Sequence, residues 1–151
     1  MEKADWEYQI GHAEGYLGAL GYEVKYGREL ETCADLEQRR VLINTRFSRE
    51  VQFYLLLHEL GHVLIEEDSA RTFESEHPSG GRYASVSINA SKAARVSVLG
   101  EEYEAWRIGR RWARLSTLFI DDVKYDQTMT KNLMSYITWA ADPKQWHAEQ
   151  G

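Results

Sequence analysis

Residues 51–65, VQFYLLLHELGHVLI, constrain this chain more than any other stretch. Coiled as a helix, the segment shows apolar side chains on nearly every face, so it must lie buried. Yet it also carries His58, Glu59 and His62. Ionisable groups inside a buried helix are costly unless they have partners. Residues four apart on a helix differ by about 40° in direction and sit one above the other. His58 and His62 can therefore aim two imidazoles at one cation. Glu59 is offset by about 60° from His62, so it can approach a water on that cation without being a ligand. This HExxH arrangement is the geometry that zinc-dependent hydrolysis requires. Gly61 costs about 1 kcal/mol relative to Ala in a helix interior. Its missing Cβ would let another backbone approach beside the metal-facing side.

A hydrolytic zinc site takes three protein ligands and keeps one position open. No third histidine follows at the HExxHxxGxxH spacing, because Val-Leu-Ile-Glu-Glu-Asp comes after His62. The candidates are Glu66, Glu67, Asp68, Glu74, Glu76, His77, Glu101, Glu102 and Glu104. Helix geometry over residues 101–116 separates the last three. With Glu102 as origin, Ala105, Trp106, Gly109, Ala113 and Ser116 fall within about 60° of it, a small and apolar stripe that should face the core. Glu104 lies on the opposite side with Arg107, Arg111 and Arg114, where a surface pair is expected. Glu101 is at the border. Glu102 is thus a carboxylate in a core-facing stripe, and a zinc ion would satisfy it. His77 is the main rival, although His77-Pro78-Ser79-Gly80-Gly81 reads as an exposed loop.

The rest of the chain fixes the setting. At 151 residues it fits one domain. Its net charge of −6 disfavours direct nucleic-acid binding, which needs a basic footprint. The single cysteine, Cys33, excludes an internal disulfide framework and a multi-cysteine metal site. Residues 1–10 lack the basic-then-apolar pattern of a secretory leader, and no apolar run is long enough to cross a bilayer. A cytoplasmic location, with no membrane association, is expected.

Periodicity predicts a glycine-weakened helix over 5–20 ending at Gly21, strands at 22–26 and 40–44, and a helix from Arg49 to about Glu66 capped by Ser48. A polar, loop-rich stretch follows, with a strand or ordered loop at 82–89 and no clear assignment for 91–100. Helices are predicted over 101–116 and 120–140, the latter ended by Pro143, with frayed residues at 147–151. The fold class is α+β: a mainly helical single domain with a small sheet packed on the HExxH helix.

Two segments resemble the ImmA/IrrE family of zinc metallopeptidases. Residues 40–62 are similar to the family's strand, polar turn and HExxH helix. Residues 102–109, EYEAWRIG, resemble its Glu-x-x-Ala-Asn-x-Phe-Ala segment. The resemblance implies a zincin-like fold with His58, His62 and Glu102 as Zn2+ ligands and Glu59 as general base. It implies a specific protein or peptide substrate, transcriptional regulators among the candidates. Trp106 stands where the family usually has Asn or Asp, and Gly109 replaces a usual alanine. An apparent insertion covers 69–98. Tyr54, one turn before His58, and His77 and Trp106 are candidate site-lining residues. Tyr83, Tyr103, Tyr136, His77 and His147 are candidate donors to an oxyanion. The competing expectation is a catalytically silent metal-binding or partner-docking regulatory module.

Overall fold

A computed structural model describes residues 5–69 and 86–150. His77, Tyr83, Glu74 and Glu76 lie outside the described residues, as does most of the strand or loop expected at 82–89. Helix α1 spans Trp6–Ala19, and Asp5 caps it by accepting from the Tyr8 backbone N–H at 3.0 Å. Gly21 follows its end with φ +88°, a conformation open to glycine, so the predicted stop is observed. Helix α2 spans Arg49–Ser69, and the Ser48 hydroxyl accepts from the Val51 N–H at 3.3 Å. Helices α3 (Lys92–Leu115) and α4 (Asp122–Ala141) start behind caps from Ser91 and Asp121. Helix α3 therefore begins well before the expected residue 101. The Ser91 cap, with Ala94 and Val98 buried, carries the helix through the ambiguous stretch. Pro143 does not merely end α4. It opens helix α5 (Pro143–Gln150), where its missing N–H costs nothing, and Asp142 accepts from Gln145 N at 3.1 Å. Fraying is expected from residue 147, whereas helix is observed to Gln150.

The strands are β1 (Glu23–Gly27), β2 (Cys33–Asp35) and β3 (Arg40–Asn44), in sheet order β1-β3-β2. β3 pairs parallel to β1, with Val24 opposite Val41, and antiparallel to β2, with Ala34 opposite Val41. β2 was not anticipated, since three residues with no β-branched side chain carry no alternation. Val41 and Ile43 point into the core and are fully buried, and β2 and β3 both pack on α2.

α2 is buried, as its composition requires: Phe53, Tyr54, Leu56, Leu57, Leu60 and Val63 have no exposed surface. It packs against α1, α3, α4 and the sheet, so the main core runs along its length. Its closest neighbour is α3. A Cβ at Gly61 would stand 2.9 Å from the Ala105 Cα and closer still to that residue's carbonyl. A Cβ at Gly109 would lie 2.7 Å from the carbonyl carbon of Leu57. The two glycines admit each other's helix reciprocally, one turn apart. The structure is a mainly helical α+β fold, and among the described residues no helix is long and apolar enough to cross a membrane.

Candidate metal centre

The close crossing of α2 and α3 brings the carboxylate of Glu102 onto the two histidines. Glu102 Oε2 lies 2.9 Å from His58 Nε2 and 3.0 Å from His62 Nε2. The two rings sit 4.7 Å apart at 75°. Glu59 Oε1 is 3.8 Å from His58 Nε2. His58, Glu59 and His62 present ligand-type atoms within 4.8 Å of one another, a group that could hold a metal ion. His58, Glu59 and Glu102 are buried, at 3%, 4% and 7% exposure. Glu102 is buried with the small and apolar stripe of α3. Glu104 faces outward and pairs with Arg107 at 2.9 Å.

Burial pushes the Glu59 carboxyl upward, against the opposing pull of the two histidines. Burial raises the Glu102 carboxyl too, but His62 and His58 overcome it and hold Glu102 well below the usual carboxylate range. Burial alone would lower His62. The charge of Glu102 and hydrogen bonds to Glu101 and Glu102 instead hold its imidazole well above its ordinary value. Two buried polar atoms here have no hydrogen-bond partner: His58 Nδ1 and Glu59 Oε2.

These residues fit a zinc ion. Two imidazole nitrogens and a carboxylate oxygen are a recognised hydrolytic ligand set. An ion with tetrahedral bonds of about 2.0–2.1 Å spaces its ligand atoms roughly 3.4 Å apart. Glu102 Oε2 stands within about half an ångström of that spacing from each of the two Nε2 atoms. The orphaned Glu59 oxygen beside them has no protein donor to satisfy it.

The surroundings show how this chain departs from the motif it resembles. The Trp106 indole stacks on the His58 ring at 4.3 Å and 18°. Its Nε1–H donates away from the site, to Asn132 Oδ1 of α4 at 3.0 Å. Tyr54, also proposed to line the site, donates its hydroxyl to Glu50 at 2.7 Å and accepts from Asp121 N at 3.0 Å. Its ring edges against Tyr125. Of the candidate oxyanion donors, Tyr136 is half-buried on α4 and hydrogen-bonded to Glu102. Burial and the charges of Glu102 and Glu59 raise its phenol, keeping it a proton donor. Tyr103 is 51% exposed, and His147 is engaged with the Val86 carbonyl at 2.7 Å. Glu67 pairs with Arg39 at 3.7 Å. Residue-by-residue reading missed Asn132 and the stacking role of Trp106; the only available signal was the +7 step from Tyr125 to Asn132 along one face of α4.

No protein-family model, curated protein or solved structure matches this chain.

Proposed function

We propose that this chain is a zinc-dependent metallopeptidase of zincin-like fold, a divergent relative of the ImmA/IrrE family acting in the cytoplasm on a specific protein. The observation that carries the reading is the convergence of Glu102 Oε2 on both Nε2 atoms of an HExxH helix, at 2.9 and 3.0 Å. His58, His62 and Glu102 are the ligands in this reading. Zinc bound there would supply a Lewis acid for the scissile carbonyl and make a water acidic near neutral pH.

The chain's own groups supply the proton traffic and the positioning. Glu59 takes the proton of the attacking water and passes it to the leaving amine, and its burial raises its basicity toward the range such a base needs. Tyr136, still protonated, donates its one O–H to Glu102 and would have to turn from that carboxylate to reach a developing oxyanion. β2 is an outer strand of the sheet, and the Glu59 charge contributes to raising the thiol of Cys33 on it. An extended peptide adding to that edge would pass close to Glu59. Substrate of this kind, a protein segment such as one in a transcriptional regulator, is recognised by backbone pairing, with no nucleic acid and no membrane involved.

The test is Glu59→Gln. The variant is expected to retain zinc, measured by metal analysis, and to lose hydrolysis of the partner, measured with and without chelator. Undiminished cleavage would remove Glu59 as the base. A second reading, a metal-binding module that docks without cutting, is favoured by His58 Nδ1, which has no acceptor, Trp106 only stacking on that ring. In that case zinc binds and no partner cleavage depends on it.

A further inference from the structure

Consecutive carboxylates of α3 grip opposite sides of one imidazole. Glu102 Oε2 meets His62 Nε2 at 3.0 Å, and Glu101 Oε2 meets His62 Nδ1 at 3.0 Å. The His62 and Glu101 side chains are 12% and 10% exposed, so solvent does little to screen the contact. We infer that Glu101 is a positioning residue for His62, accepting its Nδ1–H and so presenting Nε2 bare to the metal. The inference rests on the metal-site reading above.

Three observations support it. An imidazole that ligates through Nε2 carries its proton on Nδ1, and an acceptor there fixes both tautomer and ring orientation. Glu101 stands at that atom. The other histidine is supported differently: His58 Nδ1 has no partner, and its ring is held by the Trp106 stack at 4.3 Å. Trp106 cannot accept a proton from either ring, because indole only donates and its N–H is spent on Asn132. Electrostatic support therefore falls on His62 and reaches it from the residue before the third ligand. Finally, a carboxylate this buried is unfavourable unless it serves a donor.

The experiment titrates the full-length protein with zinc alone against a competing chelator. Removing such an outer partner typically weakens metal binding by about 10–100-fold. Glu101→Ala is expected to fall in that range, Glu101→Gln to lose less because its amide oxygen still accepts, and Glu104→Ala to match the wild type. Loaded with Co2+, the wild type and Glu101→Gln should show an exchangeable imidazole N–H resonance that Glu101→Ala loses to solvent exchange. Should Glu101→Ala fail to fold, Glu101→Gln decides, with a measurable loss of affinity supporting the role. Wild-type affinity and a retained N–H resonance in both variants would overturn it, leaving the metal site standing. A wild-type protein that binds no zinc would overturn the metal site itself.

Discussion

Gly61 and Gly109 should respond to alanine in the opposite sense from the glycines of α1. A Cβ at Gly61 would stand 2.9 Å from the Ala105 Cα, and one at Gly109 would stand 2.7 Å from the Leu57 carbonyl carbon. Carbon atoms in contact prefer about 3.5–4.0 Å, so α2 and α3 must separate by about 1 Å to admit either methyl. Backbone, not a flexible side-chain end, is the obstacle. Such overpacking costs about 1–3 kcal/mol, against which the better helix propensity of alanine returns up to about 1 kcal/mol. Gly15→Ala on α1 makes the same chemical change with nothing within 4 Å of the new atom. It should stabilise by about 0.5–1 kcal/mol. At this size about 1 kcal/mol moves Tm by 2–4 °C, so thermal unfolding resolves the difference in sign. The same 1 Å separation carries Glu102 away from His58 and His62, whereas a metal site tolerates about 0.2 Å. Gly109→Ala should therefore weaken zinc binding although residue 109 touches no ligand. If Gly109→Ala raises Tm as Gly15→Ala does and binds zinc like the wild type, the close crossing does not set the site.

Glu102→Ala should weaken zinc binding clearly more than Glu104→Ala, read by chelator competition; equal losses would refute the assignment of the third ligand. The metal-free protein should be most stable in weak acid. His62 is raised in the fold, so its contribution is full below its unfolded value of about 6.5 and is lost as pH climbs through the folded value. Glu102 is depressed, so its contribution is full above about 4.3 and is lost as pH falls through the folded value. Zinc must displace the His62 proton, so the rise in Tm produced by zinc should grow between about pH 6 and 8, with proton release visible as a buffer-dependent binding enthalpy. A zinc-induced Tm shift constant across that range would count against His62 as a ligand.

How much of this was readable beforehand depended on how local the signal was. Helix α2 announced itself because fifteen residues in one run demand burial, and Glu102 could be separated from Glu104 because a single helix wheel sorts them. The role of Gly61 followed from one missing atom. Gly109, a mere departure from a familiar pattern in sequence, becomes intelligible only when the Leu57 carbonyl is found against it. β2 was too short to show alternation, and the early start of α3 was masked by Ser97 and Gly100. Pro143 was read for the helix it stops, not the one it starts. Glu101 sat at the border of the wheel because the wheel treats a partner as a point. An imidazole is wide enough to meet carboxylates about 100° apart on the facing helix. The contributions of Asn132 and Tyr136 come from α4, and no periodicity reports which turn of one helix meets which turn of another.

The proton inventory of the site ties these pieces together. For Glu102 Oε2 to accept from both Nε2 atoms, each of those nitrogens must carry a proton. His62 also faces Glu101 through Nδ1, so it holds two protons and is an imidazolium, in keeping with its raised titration. His58 faces Glu102 through Nε2, and its Nδ1 is the atom found without a partner. The arrangement thus gathers the carboxylates of Glu59, Glu101 and Glu102 around one cationic ring in a largely dry place, a charge balance that a fully apolar cluster of the same volume would avoid at no loss of stability. A divalent cation held by His58, His62 and Glu102 would offset more of that negative charge than the His62 proton alone does. Ligation through Nε2 would require both imidazoles to carry their protons on Nδ1, where Glu101 already faces His62. The buried acids are therefore costly as a hydrogen-bonded cluster and consistent as the ligands and supports of a metal.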